Sequence, residues 1–490
     1  MIGPVEINSL CLENPADAAT HVQYAVRMKA AENTDGTRLP THFVLLLDVS
    51  ESMLDRNKLE NVKHSASLVL KFLGPTDYIS VVTFGDTGKI LCNAVSCVSE
   101  GKESVQSILH SVRADGCTNM SASLILVKEI MTGFRHPAKT GVLLLTDGHA
   151  NRGVYTADGI KGILRTIHEE FPSLSFSFVA YGTDHNADLL KDMAESAQGS
   201  YSIVEDLEGA ATVIGDTLGG LFSCKAQMVC AKFPPGTKSH GQFTMKDDGT
   251  MEIGDIYEGS ETVLLVSVPK GSIGEPFQIT GVELPSLKQI QIVGELDAWS
   301  DAPLTPAHSQ FRISVELTGL RYTCSKLFRR IRQMDLDGLE EAIAAFRAKV
   351  FHADYNGNLV AEMLREECKS LETAFQAIRR DNLHGGPSTY MRSQLAQHEA
   401  YTNLGRGATR AVAADDDDDD NPVNFAGVRF GTTTAAPLTA TTSAYSTTPY
   451  ASRTARRVTN IISTISMVPN DPNAVLEAAA LAASASQMAE

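Results

Sequence analysis

Between residues 41 and 222 the chain alternates short, almost wholly apolar runs with stretches in which apolar residues recur every three or four positions. The runs are FVLLL at 43–47, YISVVTF at 78–84, GVLLLT at 141–146, LSFSFVAYG at 174–182 and a weaker SYSIV at 200–204. Leu59, Val62, Ala66, Val69 and Leu73 mark one intervening stretch, and Met120, Leu124, Val127 and Met131 another. That spacing lines up apolar residues on one side of an α-helix. A strand that is apolar at every position needs cover on both faces, and helices between parallel strands supply it. The pattern predicts a doubly wound, mostly parallel α/β unit over 40–223.

The flanks follow other rhythms. From 224 to 320 shorter alternating runs, KDDGTMEIGDIYEG, SETVLLVSVP, EPFQITGVEL, KQIQIVGEL and HSQFRISVEL, are separated by turn residues and predict an antiparallel β-sandwich. Residues 1–39 hold two strand-like pieces, VEINSLCLE and HVQYAVRMKA, too little for a core of their own. They are expected to pair with the later sandwich, which makes the α/β unit an insertion. Helical spacing returns over 321–400, in LFRRIRQMDLDGLEEAIAAFRAKVF and NLVAEMLREECKSLETAFQAIRR with YNGN as the turn of a helical hairpin. Over 401–490 an aspartate run at 415–420 and a Thr/Ala/Ser-rich stretch offer little to bury, so this segment reads as a mostly disordered tail.

Composition narrows the function. A formal net charge of -17 leaves no broad basic face, which argues against a nucleic-acid partner. Nothing approaches the roughly 18 consecutive apolar residues of a membrane span. The opening MIGPVEINSL lacks the basic and apolar halves of a leader, so a cytoplasmic protein is expected. The eight cysteines include no C-x-x-C pair and no histidine at zinc spacing. They read as buried thiols in a reducing compartment.

In sheets of this kind ligands bind beyond the carboxyl ends of the strands. The strand at 43–47 runs into DVSESM, with Asp48, Ser50 and Ser52. The strand at 141–146 ends in Thr146, Asp147 and Gly148, and GCTNM places Thr118 ahead of the helix that starts near 120. Hydroxyls from two loops backed by two carboxylates form an all-oxygen set that suits a hard cation such as Mg²⁺. Without a cation Asp48 and Asp147 would repel each other. Any one of these loops could be an ordinary capped turn, but the three together favour a metal site. His149 and Ser50 lie on no nucleophile elbow, and neither a P-loop nor a G-x-G-x-x-G occurs.

The D-x-S-x-S of DVSESM, the lone Thr118 and the Asp-Gly at 147 together resemble the metal-ion-dependent adhesion site of a von Willebrand factor type A domain. The resemblance implies a Rossmann-like fold and a bound Mg²⁺ (or Mn²⁺) held by Asp48, Ser50, Ser52, Thr118 and Asp147, the two aspartates often acting through water. It further implies a non-catalytic interaction, adhesion or scaffold protein whose partner presents an Asp or Glu, with self-association as a further possibility. The domain followed by a sandwich resembles bacterial calcium-activated-channel-like proteins and plant ubiquitin ligases. The RING cysteines of the latter are absent, so ligase activity is not implied. Glu51 stands where the family usually has glycine, adding negative charge at the rim. Two readings compete: a metal-dependent hydrolase, and a structural assembly protein of a cell surface or virion. Hydrolysis needs a positioned base and an acidified water, which one Mg²⁺ with mainly neutral ligands supplies weakly.

Overall fold

A computed structural model describes residues 5–16, 18–31, 38–182, 185–204, 207–241, 243–298, 306–381 and 389–404. The tail expected over 401–490 therefore lies, beyond Leu404, outside the described residues.

Five parallel strands and one antiparallel edge strand form the central sheet. These are β3 (Thr41–Asp48), β4 (Tyr78–Phe84), β5 (Gly88–Ser96), β6 (Lys139–Thr146), β7 (Ser175–Tyr181) and β8 (Ser200–Val204), following β1 (Val5–Cys11) and β2 (His21–Ala30) in the chain. Their order is β5-β4-β3-β6-β7-β8, with only β5 running against its neighbour. Every residue of β3 and β6 is buried. The cause is the period of two along a strand. Leu45, Leu47, Leu143 and Leu145 enter one hydrophobic cluster, while Val44, Leu46, Val142 and Leu144 enter the other. The first cluster is closed by α1 (Lys58–Phe72), α2 (Ser99–Ser111) and α6 (Leu207–Phe222), through residues such as Val62, Leu109 and Ile214. The second is closed by α3 (Met120–Gly133), α4 (Ala157–Glu170) and α5 (Ala187–Ser196), through Leu124, Ile160 and Leu190. This is a von Willebrand factor type A-like α/β fold: a mixed, mostly parallel sheet flanked by helices.

Two four-stranded sheets accompany it. One has the order β1-β2-β12-β10, with β10 (Lys238–Ser239) and β12 (Glu261–Pro269). The other has the order β11-β9-β13-β14, with β9 (Cys224–Lys232), β11 (Thr250–Tyr257), β13 (Phe277–Glu283) and β14 (Gln289–Gly294). β2 pairs with β12 from His21↔Pro269 to Glu261↔Lys29, so the amino-terminal strands join a segment that follows the α/β unit in sequence. Both sheets feed one cluster, with Val22, Tyr24 and Leu264 from the first and Val229, Ile253 and Ile279 from the second. The second sheet is tied to the α/β unit by Asp255, which takes Lys139 Nζ at 2.7 Å and the Ser175 hydroxyl at 2.7 Å.

The helical region differs from the sequence expectation in two places. HSQFRISVEL, expected as a strand, is the start of α7 (Pro306–Arg332). Its alternation holds for only a few residues; over the whole stretch Phe311, Val315, Cys324, Phe328 and Ile331 recur at helical spacing and are buried. The segment read as one long helix breaks after Arg332 and resumes as α8 (Leu339–Val350), with Gly338 in the left-handed region at φ 61°. With α9 (Leu359–Asp381) and α10 (Thr389–Leu404) the described residues here form four α-helices, which share a cluster containing Phe328, Phe346, Leu371 and Leu395. α10 also reaches the α/β unit, where Ala396 joins the second cluster. Buried Glu399 meets Lys191 Nζ at 3.0 Å, Arg329 Nε at 2.8 Å and Arg332 Nε at 3.1 Å.

Candidate functional site

The carboxyl ends of β3 and β6 are neighbours, with Leu47 paired to Leu145, and this places Asp48 beside Thr146. Both Asp48 and Asp147 are fully buried. Two buried carboxylates at one sheet edge are costly unless donors or a cation compensate. Asp48 has donors on both oxygens: the Ser50 backbone N–H to Oδ1 at 2.9 Å and the Thr146 hydroxyl to Oδ2 at 2.5 Å. Burial nevertheless pushes its pKa up to about 6; the bonds from Thr146 and Ser50 oppose the shift and the charge of Asp147 adds to it.

Asp147 is served differently. Its Oδ2 takes Lys58 Nζ at 3.2 Å, whereas its Oδ1 is buried with no hydrogen-bond partner among the described residues. Gly148 holds this turn at φ 76°, where a Cβ would lie 3.1 Å from Leu190 Cδ1 and 3.2 Å from the Asn186 nitrogen. Its N–H donates to the Thr146 hydroxyl at 2.9 Å. Thr146 thus fixes the Asp-Gly turn and Asp48 at once.

The loop after β3 brings in the serines. Ser50 is buried and Ser52 partly so, with their hydroxyls 3.1 Å apart. Buried Met53 pins the loop into the first cluster, and Glu51 is exposed. The loop carrying Thr118 is stitched to both others through its backbone. Asp115 N–H donates to Val49 O at 2.6 Å and Glu51 N–H to Gly116 O at 3.0 Å. Thr118 N–H donates to Asn151 Oδ1 at 2.9 Å, and Thr118 O accepts from Asn151 and Arg152 at 3.1 and 3.3 Å. Thr118 itself is buried. The adjacent Asn119 starts α3 by accepting from the Ala122 N–H.

The five residues singled out in the sequence therefore lie on three mutually hydrogen-bonded loops at one edge of the sheet. Among the described residues there is no group of three or more His, Cys, Asp or Glu suited to a metal ion. The donors here are instead hydroxyls and two carboxylates, a hard oxygen set. Sequence reasoning missed Lys58, the role of Thr146, and Asn151, which clamps Thr118. Lys58 had one local sign: a lysine at the start of a helix opposes the usual preference for acidic residues there.

Residues 43–149, from β3 to the residue after Gly148, match the von Willebrand factor type A domain family. The chain is 27% identical over 190 residues to the uncharacterized protein YfbK of Escherichia coli (strain K12), covering 38% of this chain and 32% of that protein. It is 27% identical over 183 residues to inter-alpha-trypsin inhibitor heavy chain H6 of Homo sapiens, covering 35% of this chain and 14% of that one. It spans less than half the length of each curated relative it matches. Among solved structures it is similar in fold to a von Willebrand factor type A protein from Catenulispora acidiphila. That likeness has a TM-score of 0.55 at 15% identity, over 84% of this chain and 98% of that one.

Proposed function

We propose that this chain is a non-catalytic interaction protein whose α/β unit holds a divalent cation, Mg²⁺ or Mn²⁺, through Asp48, Ser50, Ser52, Thr118 and Asp147, and through that cation binds an acidic residue of a protein partner. The observation that carries the reading is Asp147 Oδ1, a buried carboxylate oxygen with no hydrogen-bond partner among the described residues, on a loop of the same sheet edge as the contacting Ser50 and Ser52 hydroxyls. An oxygen in that position loses hydration without compensation unless a cation or a water held by one completes it. The match over 43–149 to a domain family whose members commonly mediate protein interaction supports the same reading. Bound there, the cation would supply a Lewis-acidic position that a carboxylate completes.

The residues of the site prepare that position. Thr146 and Ser50 hold both oxygens of Asp48, and Lys58 holds one oxygen of Asp147. Asp48, with both oxygens held in this way, is poorly placed to act as a general base, which favours binding over hydrolysis. Exposed Leu54, Val154 and Tyr155 lie on the loops that follow the serines and Asp147 and offer apolar contact to a partner. In the division we favour, β1 and β2 complete a β-sandwich with the strands between Cys224 and Gly294, the α/β unit of 40–223 is inserted between them, and the helices from α7 onward dock on it. A reducing compartment such as the cytoplasm suits eight cysteines present as thiols and not as disulfides. Among the described residues no helix is long and apolar enough to cross a membrane.

The test is thermal unfolding of chelator-treated protein. Millimolar Mg²⁺ or Mn²⁺ should raise Tm, because a ligand of the folded state stabilises it by mass action, and Asp147→Ala should abolish the rise. Affinity capture with and without EDTA then shows whether partners depend on the metal. A wild-type melting curve indifferent to both ions would end the proposal.

A further inference from the structure

Thr118 stands between two residues that are both held by the turn joining β4 to β5. Asp86 Oδ1 in that turn accepts the Cys117 N–H at 3.0 Å, and Gly85 O accepts the Asn119 N–H at 2.8 Å. Asp86 O accepts from Asn119 Nδ2 at 3.2 Å as well. The turn and the Thr118 loop approach too closely for side chains at two positions. A Cβ on Gly85 would lie 2.7 Å from Asp115 O, and one on Gly116, at φ 81°, would lie 2.9 Å from Asp86 Cγ. The oxygen that receives Cys117 also takes Arg152 Nη1 at 3.1 Å. Arg152 follows Asn151, whose side chain accepts the Thr118 N–H. One carboxylate oxygen therefore joins the β4–β5 turn to two of the three loops of the candidate site. Folding stability is a weak reason for this arrangement, because Asp86 and Arg152 are both about half exposed and an ion pair in contact with water contributes little. What the contact fixes is position.

We propose that Asp86 is a positioning residue of the metal site: its carboxylate holds Cys117 and Arg152 so that the Thr118 hydroxyl stays where the cation needs it. This rests on the divalent-cation reading above. A small hard cation accepts little distortion of its oxygen ligands, and a side chain serves it only if the groups around that side chain keep it in place. Thr118 is supported through its own backbone by Asn151 and through its two neighbours by Gly85 and Asp86. Of these supports, Asp86 reaches the loop with a side chain that a point substitution removes without altering the loop itself. It acts through Thr118 and not on the cation. Removing a group that orients a metal ligand in this way commonly weakens metal binding by about tenfold or more.

The experiment uses the full chain with Mn²⁺ as the probe, its affinity read by water-proton relaxation, and folding of each variant checked by thermal unfolding in EDTA. Asp86→Ala should bind Mn²⁺ about tenfold more weakly than wild type. Asp86→Asn keeps an oxygen for the Cys117 N–H while losing the charge, and should recover most of the affinity. In a Thr118→Ala background, Asp86→Ala should have little further effect, because a residue that works through Thr118 has nothing left to position. Wild-type affinity in Asp86→Ala overturns the proposal. So does Asp86→Asn as weak as Asp86→Ala, which would assign the effect to charge, and so does full additivity with Thr118→Ala. If the Thr118→Ala background binds too weakly to measure, the comparison of asparagine with alanine decides. If Asp86→Ala is insoluble, Asp86→Ser is judged by the same criteria. Each of these failures leaves the metal site standing, whereas failure of wild-type protein to bind Mn²⁺ overturns the metal reading and this one with it.

Discussion

Replacing Thr146 with valine keeps the side-chain shape but removes a hydroxyl that serves two groups. It deprives Asp48 Oδ2 of its 2.5 Å donor and the Gly148 N–H of its 2.9 Å acceptor, both at buried positions. A lost hydrogen bond to a charged group costs about 1.5–3 kcal/mol, and an orphaned backbone N–H about another 1 kcal/mol. The added methyl returns about 0.8 kcal/mol through burial. The net loss is about 2–3 kcal/mol, which in a unit of this size lowers Tm by about 4–12 °C. Thr146→Ser retains the hydroxyl and should recover most of the loss. The assay is thermal and urea unfolding by far-UV circular dichroism in EDTA, comparing the two variants so that shared background cancels. A valine variant within about 0.5 kcal/mol of wild type, the range of ordinary surface changes, would refute the claim that Thr146 holds the site together.

Two further predictions concern the scaffold. His42 is buried with Nε2 2.9 Å from the Ser80 hydroxyl and its ring stacked on Phe134; burial, with a smaller contribution from the charge of His136, lowers its pKa to about 4. The unfolded chain therefore binds the extra proton between about pH 6.5 and 4, so stability present above pH 6.5 falls by up to about 3 kcal/mol as pH drops through that window. His42→Phe should flatten this part of the pH–stability curve, and an unchanged slope would refute the assignment. Glu399 is buried among Lys191, Arg329 and Arg332; burial acts to raise its pKa, but those cations win and lower it. Glu399→Gln leaves buried cations short of a partner, at a cost of about 3–5 kcal/mol. It should expose α10 to early cleavage in limited proteolysis; wild-type cleavage kinetics would count against α10 being held by this cluster.

Much of the α/β unit was legible because burial leaves a local mark. FVLLL and GVLLL are apolar at every position, which only a strand covered on both faces requires, and each runs into a polar cluster at the edge where a sheet meets solvent. β5 was not legible: as an edge strand it has no fully buried residue, so its GKILCNAVS lacks an apolar run. The start of α7 was misread because a few alternating residues fit both periods until the window lengthens.

The candidate site divides along the same line. Asp48, Ser50 and Ser52 are close in sequence, and their loop follows from the end of one strand. The groups that complete their surroundings come from far along the chain: Thr146 meets Asp48 across 98 residues and Lys58 meets Asp147 across 89. Likewise, the pairing of β2 with β12 joins segments separated by the whole α/β unit. By itself the sequence determined the buried central strands of the α/β unit, which of its helices have a buried side, and which polar residues end those strands, because those properties depend on neighbours a few positions away. Only the tertiary structure decided which distant donor each buried carboxylate receives and which oxygen is left bare. A hydrogen bond is set by a distance in space, and residue spacing along the chain records that distance only within a strand, a turn or a helix.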